Sequence, residues 1–423
     1  MRPERIVHLG LGAFFKAHQA WYTEKAKDHE EWGIVAYTGR SPKAAEELKA
    51  SNFRYTLITR HADRDEFETI SSVVRAVPAT DVSDLIATVA KSEIAVVTLT
   101  ITEAGYQPDD SQELSEFALG RLSLALAERN RVGSPPLAVV SCDNMPDNGN
   151  VLKAVMQKIG KRLGPEYLSY LEKISFVSTS IDRITPKITP ADIALAEDFR
   201  GAEDPAAVVT EPFADWVLQG EFPLGRPDWE SAGAKIVEEI AAFENRKLWL
   251  LNGAHTLISC LGQVRGLKTV DQAMRDQVVN QAVEIWWRDA CSALPKAGLN
   301  LDAYLVALRE RFLNPRIGYQ LTQIAQESLT KLQVRTAPVA EIFEAKGRIS
   351  RGSLIAIASY LTLVIGGVRP IDSKDALVAK ALSQPSPKLA LLELVSPALA
   401  SSKSFQEALK IELLGLRGEL RSA

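Results

Sequence analysis

The chain has 423 residues, 46% of them hydrophobic and 24% charged, and a net charge of −4. That balance suits a globular protein, and the length suggests two domains rather than one core. Acidic and basic residues are interspersed, which gives neither the basic footprint of a nucleic-acid binder nor a cationic patch for a membrane surface.

Cys142, Cys260 and Cys291 lie far apart with no CxxC pair. This suits a reducing cytoplasm and offers no cysteine-built metal site. Met1 leads directly into a strand pattern, without a signal-peptide core. The most apolar stretch, Leu354 to Gly367, is too short for a helix to span ~30 Å of hydrocarbon and reads as a buried helix N-capped by Ser353.

The first predicted strand, Arg5–Leu9, runs into Gly10-Leu-Gly12-Ala13-Phe14-Phe15 and then a helical pattern. Gly10 permits the tight turn and Gly12 lets a pyrophosphate approach the backbone. Ala13 and Phe14 open the helix whose free N–H groups would face the phosphates. The third glycine of the usual fingerprint is absent, with Phe15 in its place. The second strand, Gly33–Tyr37, ends near Thr38-Gly39-Arg40-Ser41. Arg40, with Ser41 and Lys43, either receives the 2′-phosphate of NADP or begins a solvated helix, so NAD and NADP both stand as cofactors.

Tyr55–Thr59 and Glu66–Arg75 read as a hairpin inserted into the alternation, followed by strands at Ile94–Leu99, Leu137–Val140 and Ile174–Thr179. Most of these runs are apolar throughout, as parallel strands covered on both faces are. After Leu137–Val140 comes Ser141-Cys-Asp-Asn144, where the amide of Asn144 could donate to a developing oxyanion; Asp143, Asn144 and Asn148-Gly149 also make a good turn and helix start. Asp182 and Arg183 lie just beyond the next strand and read, in the structural alternative, as a salt-bridged pair.

From about Phe243 long helical patterns take over: Arg246–Leu261, Thr269–Ser292, Leu301–Phe312, Ile317–Leu332 and Ser353–Ile365. The expectation is an α/β Rossmann-like domain over 1–240, followed by an all-α domain over 241–423. On a regular helix Glu244, Lys247, Asn252 and His255 share a sector of roughly 140°. Leu248, Leu250, Leu251, Leu257 and Ile258 around them imply burial. Oxidation of an alcohol needs a base for the hydroxyl proton while hydride leaves the same carbon, a task open to Lys247. Asn252 could hold the alkoxide and His255 a neighbouring hydroxyl.

These segments, in this order, resemble the long-chain polyol dehydrogenase family, which includes mannitol 2-dehydrogenase and D-mannonate oxidoreductase. The likeness runs from the Gly10 turn through Leu99-Thr-Ile-Thr102-Glu-Ala-Gly-Tyr106, Ser141-Cys-Asp-Asn144 and Asp182-Arg-Ile-Thr-Pro186. It continues through Thr210-Glu-Pro-Phe213 and Gly225-Arg-Pro-Asp-Trp229 to Lys247-Leu-Trp-Leu-Leu-Asn-Gly-Ala-His255 and Arg311-Phe-Leu-Asn-Pro315. It implies a metal-independent enzyme using NAD or NADP, with Thr102 among the cofactor contacts. It also implies Lys247 as base, Asn144 and Asn252 on the oxyanion, His255 on substrate, Asp182 in support, and Glu244 passing the proton to solvent. Phe15-Lys16 departs from the family's His-Arg.

Lys331 and Arg335 align best with the mannonate branch, where they would either pair with a hexuronate carboxylate or stand as exposed helix-face charges. The substrate expectation is therefore a sugar acid, D-mannonate/D-fructuronate, with mannitol/fructose or a pentitol as the alternative. A non-catalytic nucleotide sensor on the same scaffold is the reading from another class. A zinc enzyme lacks an evident Cys/His/Glu ligand set. None of the nine tyrosines has a lysine four residues on, so the Tyr-xxx-Lys pair of the short-chain dehydrogenases is absent.

Overall fold

The computed structural model describes residues 2–39, 41–107, 109–295 and 298–422. The chain divides into two compact units, Met1–Ala241 and Ala242–Ala423. Strands of the first are β1 (Glu4–Leu9), β2 (Gly33–Tyr37), β3 (Tyr55–Arg60), β4 (Asp65–Ile70), β5 (Val73–Val77), β6 (Val96–Leu99), β7 (Ala138–Ser141), β8 (Ser175–Asp182), β9 (Val208–Thr210), β10 (Asp215–Gln219) and β11 (Lys235–Ile236).

The main sheet runs β11-β10-β8-β7-β6-β1-β2-β5, with β10 antiparallel to β8 and the other pairs parallel. From β5 to β8 this is the 3-2-1-4-5-6 order of a doubly wound dinucleotide-binding sheet, whose strand order reverses between β1 and β6. Successive side chains enter opposite cores: Ile6, Ile34, Ala36 and Val96 face one, Val7, Leu9, Val35, Tyr37, Val97 and Leu99 the other. A sheet buried on both faces explains the continuous apolar runs of these strands. The expected Rossmann-like fold is present.

The predicted hairpin is real but shorter. β3 and β4 pair antiparallel from Tyr55 opposite Ile70 to Arg60 opposite Asp65. With β9 they form a separate three-stranded sheet. The run expected to continue to Arg75 breaks at Ser71-Ser72, and β5 joins the main sheet beside β2. The break is held by Ser71 N–H and Glu24 (2.9 Å) and by Ser72 Oγ donating to the Ala20 carbonyl (2.7 Å).

In the second unit the helix Arg351–Ile365 is buried along most of its length and packs against Ala254–Val264, Gln277–Ala293 and Lys403–Ser422. Its N-cap is Ser350 rather than Ser353, because the Ser350 hydroxyl accepts the Ser353 N–H. The predicted helix Thr269–Ser292 is two helices, Val270–Arg275 and Gln277–Ala293. The Asp276 carboxylate between them accepts the N–H groups of Val278 and Val279, as an N-cap does. Ile317–Leu332 likewise divides into Leu321–Ile324 and Ser328–Arg335. Among the described residues no helix is long and apolar enough to cross a membrane.

One buried polar group ties the sheet together at the reversal of strand order. His8 on β1 is fully buried; its Nδ1 lies 2.8 Å from Thr98 Oγ1 and its Nε2 3.0 Å from Thr100 Oγ1. Its ring stacks on Phe15 at 3.7 Å. Burial pushes this imidazole from 6.5 down to about 3, so the folded chain holds it neutral. The unfolded chain takes up a proton below about pH 6.5 that the folded chain refuses. This contribution to stability is complete above about 6.5 and lost progressively as pH falls toward about 3. His8→Asn should flatten the fall in urea-denaturation midpoint across that window, whereas an unchanged slope would place the acid sensitivity elsewhere.

Candidate active site

In the first unit the site begins at the turn after β1. Gly10 has φ +111, and a Cβ there would sit 2.1 Å from the Thr100 carbonyl oxygen, so only glycine fits. The N–H groups of Gly10 and Leu11 both donate to Tyr37 O, at 3.0 and 2.9 Å, and Thr100 Oγ1 donates to Gly10 O at 2.9 Å. At Gly12 a Cβ would meet only the Gly10 oxygen, at 3.6 Å, which leaves open space over the start of the helix Ala13–Ala17. Ala13 is exposed and Phe14 half-buried, while Phe15 and Lys16 turn inward. Lys16 donates to Ala206 O at 2.7 Å, and burial pulls its pKa down to about 8. Arg40 lies outside the described residues.

Beyond β6, Thr102 adopts φ 66 and ψ 162. Beyond β7, Asn144 is exposed on a loop anchored by its neighbours. Asn148 is fully buried: Nδ2 donates to Asp143 O (2.9 Å) and Thr179 O (2.8 Å), and Oδ1 accepts Thr179 N–H (2.8 Å). Asp182, buried at the end of β8, stands opposite Asp215 on β10. Arg183 does not pair with it. Its guanidinium donates to the carbonyls of Ala17 (2.5 Å) and Glu211 (3.3 Å) and lies over the Trp21 ring at 4.4 Å. Burial brings its pKa down to about 10.

The predicted lysine helix of the second unit is not uniform. Ala241–Arg246 is α-helical, Lys247–Gly253 forms a π-helix, and Ala254–Val264 resumes the α-helix. This corrects the regular spacing expected from sequence. In an α-helix residues 247 and 252 would lie about 140° apart, whereas an i→i+5 ladder brings the two positions close to one line. Glu244 lies one turn before the π-helix; Glu244, Lys247 and Asn252 are half-buried, and His255 is buried. The His255 ring centroid is 4.6 Å from that of Phe312 and 5.7 Å from that of Tyr319.

Side chains from neighbouring helices hold the π-helix by its carbonyls. Trp286 Nε1 donates to Trp249 O and Trp287 Nε1 to Leu250 O, each at 2.8 Å. Arg335 Nη1 donates to Asn252 O and Thr256 Oγ1, each at 3.2 Å. Arg335 and Lys331 share one face of the helix Ser328–Arg335. Lys331 donates to Ile324 O at 2.8 Å; burial first, and Arg335 second, push its pKa down to about 8. Neither cation is the exposed helix-face charge of the structural alternative. Burial also lowers Arg335, to about 10. Among the described residues, no group of three or more His, Cys, Asp or Glu side chains is placed to hold a metal.

Residues 4–231 match the mannitol dehydrogenase Rossmann domain and 239–408 the mannitol dehydrogenase C-terminal domain. The chain belongs to the mannitol dehydrogenase family. With that membership come the oxidoreductase class and use of NAD(P). The D-mannonate oxidoreductase of Escherichia coli is 30% identical over 406 residues, covering 89% of this chain and 84% of that protein. The crystal structure of a substrate-free D-sorbitol dehydrogenase is 27% identical with a TM-score of 0.88 and matches 100% of this chain and 93% of its own. The Pseudomonas fluorescens mannitol 2-dehydrogenase, solved as a ternary complex with NAD and D-mannitol, is 28% identical with a TM-score of 0.79 and the same coverage.

Asp143 and Asn148 read from sequence only as turn and helix-start residues, and four further supporting residues are not singled out by it at all: His8, Trp286, Trp287 and Tyr106. Each acts on a partner distant along the chain, so local spacing carries no signal for it. Gly253 shows how tightly the π-helix is packed, because a Cβ there would lie 2.4 Å from the Trp286 ring. Gly253→Ala should lower the free energy of unfolding by about 1–3 kcal/mol, as overpacking a rigid indole does. Chemical denaturation checks this; a variant as stable as the parent would contradict the packing described.

Proposed function

We propose that this protein transfers hydride between NAD(P) and a secondary hydroxyl or keto group of a sugar acid of the D-mannonate/D-fructuronate class, with Lys247 as general base. The observation that carries the choice of a sugar acid is Arg335. Arg335 is half-buried, its guanidinium set against the Lys247 helix with Nε shielded from solvent; it has no carboxylate partner among the described residues and donates to a carbonyl and a hydroxyl. A buried charge without a counter-ion is costly, and a substrate carboxylate would complete it. Lys331, one turn earlier on the same face, adds a second donor.

The open space at Gly12 and the free N–H groups after it fit the pyrophosphate of a dinucleotide, with Gly10, Ala13, Phe14 and Thr102 around it. Arg40 would favour NADP by pairing with its 2′-phosphate. Bound NAD(P) supplies the hydride acceptor or donor. The chain's own residues manage the proton and the oxygen. Lys247 takes the hydroxyl proton, Asn252 and Asn144 donate amide N–H groups to the developing alkoxide, and His255 orients a neighbouring hydroxyl. Asp182 supports the arrangement and Glu244 carries the proton outward from Lys247.

Lys247→Ala should lower turnover by about 10²–10⁴-fold. NADH binding, followed by nicotinamide fluorescence, should stay close to that of the parent. A variant with parental turnover would remove lysine from the chemistry and return weight to the nucleotide-sensor reading. For the substrate, Arg335→Gln should reduce the preference for fructuronate over fructose by about tenfold or more, the worth of one charge-assisted hydrogen bond. Equal losses on both substrates would argue for a neutral polyol instead.

A further inference from the structure

Thr102 occupies a backbone region that essentially only glycine populates, with φ 66 and ψ 162. A β-branched residue stays there only if its surroundings hold it. The holder is the Asp143 carboxylate. Its Oδ1 accepts the Thr102 N–H at 2.7 Å; its Oδ2 accepts the Ile101 N–H at 3.2 Å and the Tyr106 hydroxyl at 2.7 Å. Tyr106 Oη also lies 2.6 Å from Ser141 Oγ at the end of β7. Asp143 and Tyr106 are 6% and 5% exposed, and no cation pairs with Asp143 among the described residues. A buried carboxylate given two backbone N–H groups and a phenol in place of a cation is committed to shaping that bend.

The clamp is anchored on both sides. The Asp143 carbonyl accepts Asn148 Nδ2, and Asn148 is pinned in turn to Thr179 on β8. Two residues before Thr102, Thr100 donates to the Gly10 carbonyl, and its own carbonyl fills the place of a Gly10 Cβ. The bend therefore forms one lip of the crevice where strand order reverses, the place at which doubly wound sheets bind dinucleotides.

We propose, resting on the nicotinamide-cofactor reading above, that Asp143 is a positioning residue for the cofactor: it holds Thr102 in a glycine-only conformation that gives the dinucleotide crevice its lip. Asparagine at 143 can no longer accept both N–H groups and also the phenol, so the bend relaxes. Glycine at 102 can hold the same dihedral angles unaided.

The test is the dissociation constants of NADH and NADPH, read by nicotinamide fluorescence, for the parent, Asp143→Asn, and Asp143→Asn combined with Thr102→Gly. The single variant should bind the preferred cofactor about tenfold or more weakly, and the double variant should regain most of that loss. A role confined to fold stability would not produce that recovery. Single-variant binding equal to the parent's, or a double variant no better than the single, would overturn the proposal. If Asp143→Asn does not fold by circular dichroism, Tyr106→Phe carries the test: roughly threefold weaker binding supports the clamp and parental binding overturns it. A parent that binds neither cofactor would instead overturn the nicotinamide reading itself.

Discussion

The second unit depends on the π-helix at Lys247–Gly253. Such a segment widens the backbone ladder by one residue, and isolated sequences do not adopt it readily. Here two indole N–H groups and a guanidinium hold its carbonyls: Trp286 on Trp249, Trp287 on Leu250, Arg335 on Asn252. Trp286 is itself fixed between two glycines, because a Cβ at Gly253 or Gly352 would come within 2.4 or 2.5 Å of it. The functional consequence is alignment. The wider ladder brings positions 247 and 252 toward one line, and Arg335, which supports the Asn252 carbonyl, is also the cation proposed to meet the substrate.

The first unit applies the same economy to a different problem. Its crevice is framed by bends after β1, β6 and β7, each of which must keep its shape without regular hydrogen bonding. Neutral His8 bridges Thr98 and Thr100, Thr100 reaches Gly10, and Asp143 and Asn148 secure the other two bends. Buried polar groups that are fully paired rigidify their surroundings. A rigid lip also leaves less to be ordered when a dinucleotide binds.

Much of this fold is readable in the linear order of residues. β1, β2 and the Gly10 turn stand out because a buried parallel strand is a continuous apolar run and its turn must be glycine. β9 and β11 escape notice because three and two residues carry no periodicity. The run Thr269–Ser292 reads as one helix because its apolar spacing continues across Asp276, although an N-capping aspartate there is a visible signal. The π-helix is invisible to spacing, since residues 241–264 satisfy an α-helical pattern and the side chains that hold its carbonyls, Trp286, Trp287 and Arg335, lie far along the chain. Arg183 misleads for a related reason: adjacency suggests a pair with Asp182, whereas alternation along the strand end sends its guanidinium to the carbonyls of Ala17 and Glu211.

Catalysis as proposed rests on the Lys247 amine accepting the substrate's proton while hydride departs. It is tested most directly by the pH dependence of kcat/KM in the oxidative direction, using substrate deuterated at the reacting carbon so that the hydride step is seen to limit the rate. A lysine base predicts a rise of about tenfold per pH unit on the acid side, levelling off where the amine is neutral. A flat profile from about pH 6 to 10 with the isotope effect intact would contradict it.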